Sequence, residues 1–292
     1  MRLGILVIIA ALGLCFVVRV AIKSYLDEAS DFRRASVPAL SLHPEATGIP
    51  NLEEVRFGDP AEPLAGWYAP SRNRAAIVLA HGTGADRSSL VSETRLLAAA
   101  GFGVLAIDFP GQGASAGQTR WGKKERDALT AAVDWLSGRA EVDATRIGGF
   151  GLSIGGYILL QAATTETRLR AIVLASTPAD MQEEVRISSS RWGVLSALPA
   201  VWALRRSGMP YRELLPRDVI GSISPRAIFL VGGEYDGWVP PATARELFAA
   251  AREPKQLWVV PGAGHSNFAE IAPREYADRL SRFFTEHLLH DR

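Results

Sequence analysis

From about residue 51 onward the chain alternates between short apolar runs and longer segments with a helical period. The runs are AAIVLA (75–80), GVLAID (103–108), RIGGFG (146–151), AIVLAS (171–176), AIFLVGG (227–233) and QLWVV (256–260). They are rich in Val and Ile and nearly continuous, as strands buried on both faces are. Between them lie SSLVSETRLLAAA, KKERDALTAAVDWL, GGYILLQAAT, ATARELFAAA and PREYADRLSRFFTEHLL. In the last, Tyr276, Leu280, Phe283, Phe284 and Leu288 recur at helical spacing. This order predicts an α/β fold with a mainly parallel central sheet flanked by helices. VRFG and LAGWYAP, within 55–70, predict an antiparallel edge hairpin before it. About fifty residues separate the runs ending at 176 and beginning at 227, long for a plain crossover. They include RWGVLSALPAVWALRRSGMPY, whose tryptophans and apolar residues predict a small helical cap over a cleft at about 177–224. The alternative there is an ordinary crossover with an extra core helix.

The N-terminus differs in kind. LGILVIIAALGLCFVV (3–18) carries no charge, and RVAI extends the apolar stretch to Ile22. At 1.5 Å per residue this reaches about 30 Å, a bilayer core, with Arg2, Arg19 and Lys23 placed to reach the interfaces. No A-x-A-like cleavage site follows, and Leu14 before Cys15 lacks the small residue of a lipoprotein signal. The expectation is a single-pass transmembrane anchor over 1–23, a tether over 24–50 and one catalytic domain over 51–292. The side of the membrane stays open. Arg19, Lys23, Arg33 and Arg34 favour a cytoplasmic domain, whereas a short anchor before a long domain is often exported.

Composition adds exclusions. Net charge is +1 over 292 residues, and no basic stripe interleaves with aromatics, so nucleic acid is not an expected partner. One cysteine allows no disulfide or cysteine-based metal site within a chain. GTGADRSS lacks the G-K-[ST] ending of a phosphate loop, and GGFGLSIGG lies outside any first βαβ dinucleotide fingerprint. No cofactor and no metal are expected.

The chemistry concentrates in serine, histidine and acid. G-x-S-x-G occurs twice, around Ser115 in GASAG and around Ser153 in GLSIG. Ser153 directly follows a predicted strand and precedes a predicted helix, the strand–turn–helix context of a nucleophile elbow. Ser115 lies seven residues past a strand and before polar QTRWGKKE, so it reads as a loop serine. A serine hydroxyl needs a base, and the base an orienting acid. Of five histidines, His265 in PGAGHSNF follows the last strand; His81 precedes a Gly-rich turn and reads as a loop-shaping residue. The acid should follow the penultimate strand, where Glu234 and Asp236 compete; Asp236, further along the loop, is preferred. Oxyanion donors are expected from the backbone N–H of Ile154 and of Thr83, with Gly84 a close second.

Five blocks in order, LAHGTGADRSS, AIDFPGQGASAG, GFGLSIGGY, VGGEYDGWVP and PGAGHSNF, resemble the α/β-hydrolase superfamily over about 50–290. Within it the chain most resembles the serine-aminopeptidase-like branch and membrane-attached serine hydrolases, including protein depalmitoylases. The order Ser153, Asp236, His265 is the α/β-hydrolase order. The resemblance implies a serine hydrolase; the apolar anchor and the Trp-containing cap add the expectation of membrane anchoring and of a small-molecule or lipid-like acyl substrate with an ester or thioester bond. A serine peptidase of the same fold and a non-catalytic scaffold are the alternatives. The apolar anchor, in place of a Cys-rich lipidated N-terminus, departs from eukaryotic depalmitoylases.

Overall fold

A computed structural model describes residues 2–33 and 43–290, with side chains over 12–30 and 43–290. Eight strands form one sheet: β1 (Glu53–Phe57), β2 (Leu64–Ala69), β3 (Ala76–Ala80), β4 (Gly103–Ile107), β5 (Ile147–Leu152), β6 (Leu169–Ala175), β7 (Ala227–Gly233) and β8 (Lys255–Val260). Their spatial order is β1-β2-β4-β3-β5-β6-β7-β8. The β1–β2 hairpin is antiparallel, β2 runs antiparallel to β4, and every later pairing is parallel. All six predicted buried runs are strands, and the predicted hairpin forms the antiparallel edge.

The helices are α1 (Arg2–Arg33), α2 (Val91–Ala99), α3 (Lys123–Ser137), α4 (Ile154–Ala163), α5 (Met181–Ser188), α6 (Val194–Arg206), α7 (Pro216–Val219), α8 (Pro241–Ala250), α9 (Phe268–Ile271) and α10 (Pro273–Leu288). They cover both faces of the sheet, which explains the unbroken apolar runs. In β3, Ala76, Val78 and Ala80 join the core under α3 and α4. Ile77 and Leu79 point the other way, toward Leu97 of α2 and Phe284 of α10. With a side-chain period of two, only residues apolar on both faces can fill such a strand.

The segment between β6 and β7 holds α5, α6 and α7, so the expected cap is helical. The N-terminal run is helical too, but α1 continues to Arg33, through the first part of the expected tether. Val20 and Ala29 are buried, and α1 lies along α6. Among the described residues no helix is long and apolar enough to cross a membrane. The transmembrane helix expected over 1–23 is therefore not found there. The physical reason lies in its second half, where one face of the helix is occupied by the cap. Side chains of residues 1–11 lie outside the described residues, as do residues 34–42 of the expected tether.

Candidate active site

Parallel strands deliver their following loops to one end of the sheet, and a crevice forms where the strand order reverses. Here β3 lies between β4 and β5, with Ala80 in register with Gly151. The loop after β3 and the turn after β5 therefore meet. Ser153 occupies that turn at φ +56° and ψ −123°. For a non-glycine residue this is a strained conformation, held by the Ser153 N–H donating to Ala175 O at 2.8 Å. The turn closes tightly enough that a Cβ on Gly155 would lie 2.2 Å from Ala80 O.

Ser153 and His265 line one cavity of about 920 Å³ together with Gly82, Thr83, Gly84 and Ile154. His265 donates Nδ1–H to Asp236 Oδ2 at 2.8 Å, which leaves Nε2 as the basic nitrogen. Asp236 is buried and accepts four hydrogen bonds. Its Oδ1 takes the backbone N–H groups of Trp238 and Val239, each at 2.9 Å. Its Oδ2 takes the Ser176 hydroxyl at 2.8 Å besides His265. Burial alone would raise this carboxyl; the bond and charge of His265, with the Val239 N–H and the Ser176 hydroxyl, outweigh it and hold Asp236 below the usual aspartate range. The fold thus brings together Ser153, His265, Asp236, Thr83 and Ile154. As the first residue of α4, Ile154 carries a backbone N–H that the helix itself cannot use.

The competing candidates fall elsewhere. Glu234 is exposed and accepts the Gly262 N–H at 2.9 Å. His81 is fully buried; its Nδ1 meets Gly82 O at 2.8 Å and its Nε2 accepts the Phe109 N–H at 3.1 Å. Burial lowers its pKa, so it is a neutral brace between two loops. Ser115 donates to Asp108 O at 2.7 Å and accepts the Ala65 N–H at 2.8 Å, a staple between the loop after β4 and the edge hairpin. The second G-x-S-x-G also has its own cause: a Cβ on Gly113 would fall 2.2 Å from Asp108 Oδ2.

Several site residues had no signal in the expected set. Ser176 sits at a strand end, as site residues do, but its partner is sixty positions away. Trp238 packs edge-on to the His265 ring at 4.9 Å. Less foreseeable still, α1 walls the cavity through Phe16, Arg19, Val20, Lys23 and Asp27. Among the described residues no group of three His, Cys, Asp or Glu is placed to hold a metal ion.

Residues 88–291 match the prolyl oligopeptidase family, a segment that includes Ser153, Asp236 and His265 but begins after Thr83. An uncharacterised protein of Mycobacterium tuberculosis (H37Rv) is 32% identical over 226 residues, covering 76% of this chain and 75% of its own. Among solved structures, the Pyrococcus furiosus esterase Pf2001 aligns at TM-score 0.73 and 21% identity, covering 87% of this chain and 98% of that one. The Pseudomonas aeruginosa protein PA2218 aligns at TM-score 0.65 and 25% identity, covering 86% and 97%. On sheet order, strand-end site and sequence match together, the chain belongs to the prolyl oligopeptidase family and is a hydrolase of the α/β-hydrolase fold.

Proposed function

We propose that this hydrolase is a membrane-attached serine esterase or thioesterase. Ser153 Oγ attacks the acyl carbonyl carbon while His265 Nε2 accepts its proton. Asp236, ionised by its four donors, holds the imidazole in the Nδ1–H tautomer and stabilises the imidazolium that forms. The Thr83 and Ile154 backbone N–H groups bind the oxyanion of the tetrahedral intermediate. Its collapse expels the alcohol or thiol, which takes the proton from His265 and leaves an acyl-enzyme. Water, deprotonated by the same histidine, then releases the acid and restores Ser153.

The observation that carries this proposal is the bond from buried Asp236 to His265 on a cavity whose wall also holds Ser153 at a positive φ. An apolar N-terminal run and a cavity bordered by Phe16, Trp192 and Trp238 support a long acyl group and attachment to a membrane. Labelling with a fluorescent fluorophosphonate tests the nucleophile. Wild type and Ser115→Ala should label, and Ser153→Ala should not. Loss of label in Ser115→Ala with label kept in Ser153→Ala would sink the assignment. Rates on p-nitrophenyl esters should rise with chain length toward lauroyl; a flat profile counts against the acyl-chain part.

The match to a peptidase family supports a second possibility, cleavage of peptide bonds by the same residues. That alternative expects aminoacyl arylamides to turn over faster than matched esters.

A further inference from the structure

Fifteen large hydrophobic side chains are exposed among the described residues, and eleven of them lie on α1, on α6 or in the turn just before α6. On α1 they are Leu12, Leu14, Phe16, Val18, Ile22 and Leu26. On the cap they are Trp192, Val194, Leu195, Leu198 and Trp202, of which Val194 is 69% exposed. The two groups are one surface, because Phe16 meets Trp192 edge-on at 5.3 Å and Tyr25 meets Trp202 at 4.9 Å. A contiguous apolar face of this kind on a folded chain marks a partner.

The helix itself narrows what that partner is. Going round α1, the covered side carries Val17, Val20, Ala21, Ser24 and Glu28, with Val20 buried, and α1 lies along α6. At its edge Phe16, Lys23 and Asp27 join Val20 in walling the cavity of Ser153. On the far side Leu14, Val18, Ile22 and Leu26 form a free stripe, exposed along its length. From Phe16 onward the cap and the cleft occupy one side of α1, and only the opposite side is open to lipid.

The edges of the face carry cations paired with aromatic rings. The Arg206 guanidinium lies 4.7 Å from the centre of the Trp202 ring and that of Arg191 6.0 Å from Trp192. Arg19 and Lys23 flank the free stripe, Lys23 also holding Asp27 at 2.7 Å, while half-buried Glu28 accepts from Ser189 at 3.3 Å. Tryptophan with arginine at the border of an apolar face suits the headgroup level of a membrane, where rings and charged tips find both phases.

We infer that this face docks on one leaflet of an anionic-lipid bilayer, with α1 lying in the interface rather than crossing it. Phe16 and Trp192 belong both to the face and to the cavity wall, so docking turns the mouth of the cleft toward the leaflet. A single-chain acyl substrate would then enter from lipid without crossing water. That consequence rests on the hydrolase reading proposed above; the docking itself does not.

The chain's lone cysteine, Cys15, is exposed on α1 and gives a native depth gauge. Full-length protein labelled there with NBD is mixed with vesicles of phosphatidylcholine and phosphatidylglycerol. Binding should be tighter than to phosphatidylcholine alone and weaken with salt. Lipids brominated near the carbonyl should quench NBD more than lipids brominated at mid-chain. Leu198→Asp, on the face but off the cavity, should weaken vesicle binding about tenfold or more while fluorophosphonate labelling in solution is unchanged. Stronger quenching at mid-chain would overturn the interfacial geometry in favour of a span. Absence of vesicle binding, with concentration-dependent dimers in sedimentation, would assign the face to a second copy instead. Labelling with Ser153→Ala reads the hydrolase reading separately, since that variant should still bind vesicles.

Discussion

At φ +56°, Ser153 holds a conformation that costs a non-glycine residue about 1–3 kcal/mol, and the glycines around it exist to permit it. In Gly155→Ala the new methyl would meet the backbone carbonyls of Ala80 and His81, the chain that leads into Thr83. The expected cost is about 1–3 kcal/mol in urea unfolding, with loss of fluorophosphonate labelling. Asp236 makes a different kind of contribution. Asp236→Asn should lower kcat by about 10⁴-fold with little change in KM, because the amide favours the wrong histidine tautomer. Since the folded carboxyl lies below its unfolded value, its stabilisation is complete above the unfolded aspartate pKa of about 3.9 and is lost as pH falls through the folded pKa. Unfolding of wild type and Asp236→Asn compared from neutral pH to pH 3 should show a steady difference that shrinks only in acid. A difference that shrank between pH 7 and 5 would contradict the sign. Ser153, Asp236 and His265 were legible because each follows a predicted strand and their order fits one fold. Ser176 and Trp238 were not, since nothing local distinguishes a hydroxyl or ring that will meet a partner from another loop.

The loops after β3 and β4 are tied by a buried ion pair. The Arg87 guanidinium bonds the Asp108 carboxylate, and its backbone N–H adds a second bond at 2.8 Å. Asp108 also accepts the Ala114 N–H at 2.8 Å, and Arg87 reaches on to Glu54 of β1. Removing one partner strands a buried charge, so Arg87→Met should destabilise by about 3 kcal/mol or more in urea titration. Ser115→Ala removes only a neutral staple and should cost about 1–2 kcal/mol. The elements themselves were readable from pattern: every buried run became a strand, and each amphipathic segment a helix. What pattern could not convey was neighbourhood. The tryptophans of the cap carried the same signal in the sequence, yet Trp192 lines the cavity whereas Trp202 faces α1 and solvent.

Across the whole molecule, the N-terminal helix lies along the cap and borders the cleft that holds Ser153. If that surface meets lipid, hydrolysis of an ester embedded in anionic vesicles should fall about tenfold in Leu198→Asp, with the rate on a soluble short ester unchanged. The assay that decides is the ratio of the two rates; an equal fall in both would point to misfolding of the cap. The mainly parallel sheet with its antiparallel edge, the nucleophile turn and the acid–histidine pair were already implied along the chain. Their signals are local, a two-residue or 3.6-residue period and a residue type at a strand end, and the sheet converts such positions into proximity. What covers the run over residues 12–22 was not implied in the same way. An apolar run has the same composition whether lipid or protein covers it, and the choice depends on whether a matching apolar face lies nearby. That face is α6, some 170 residues later in the chain, and only folding brings the two together.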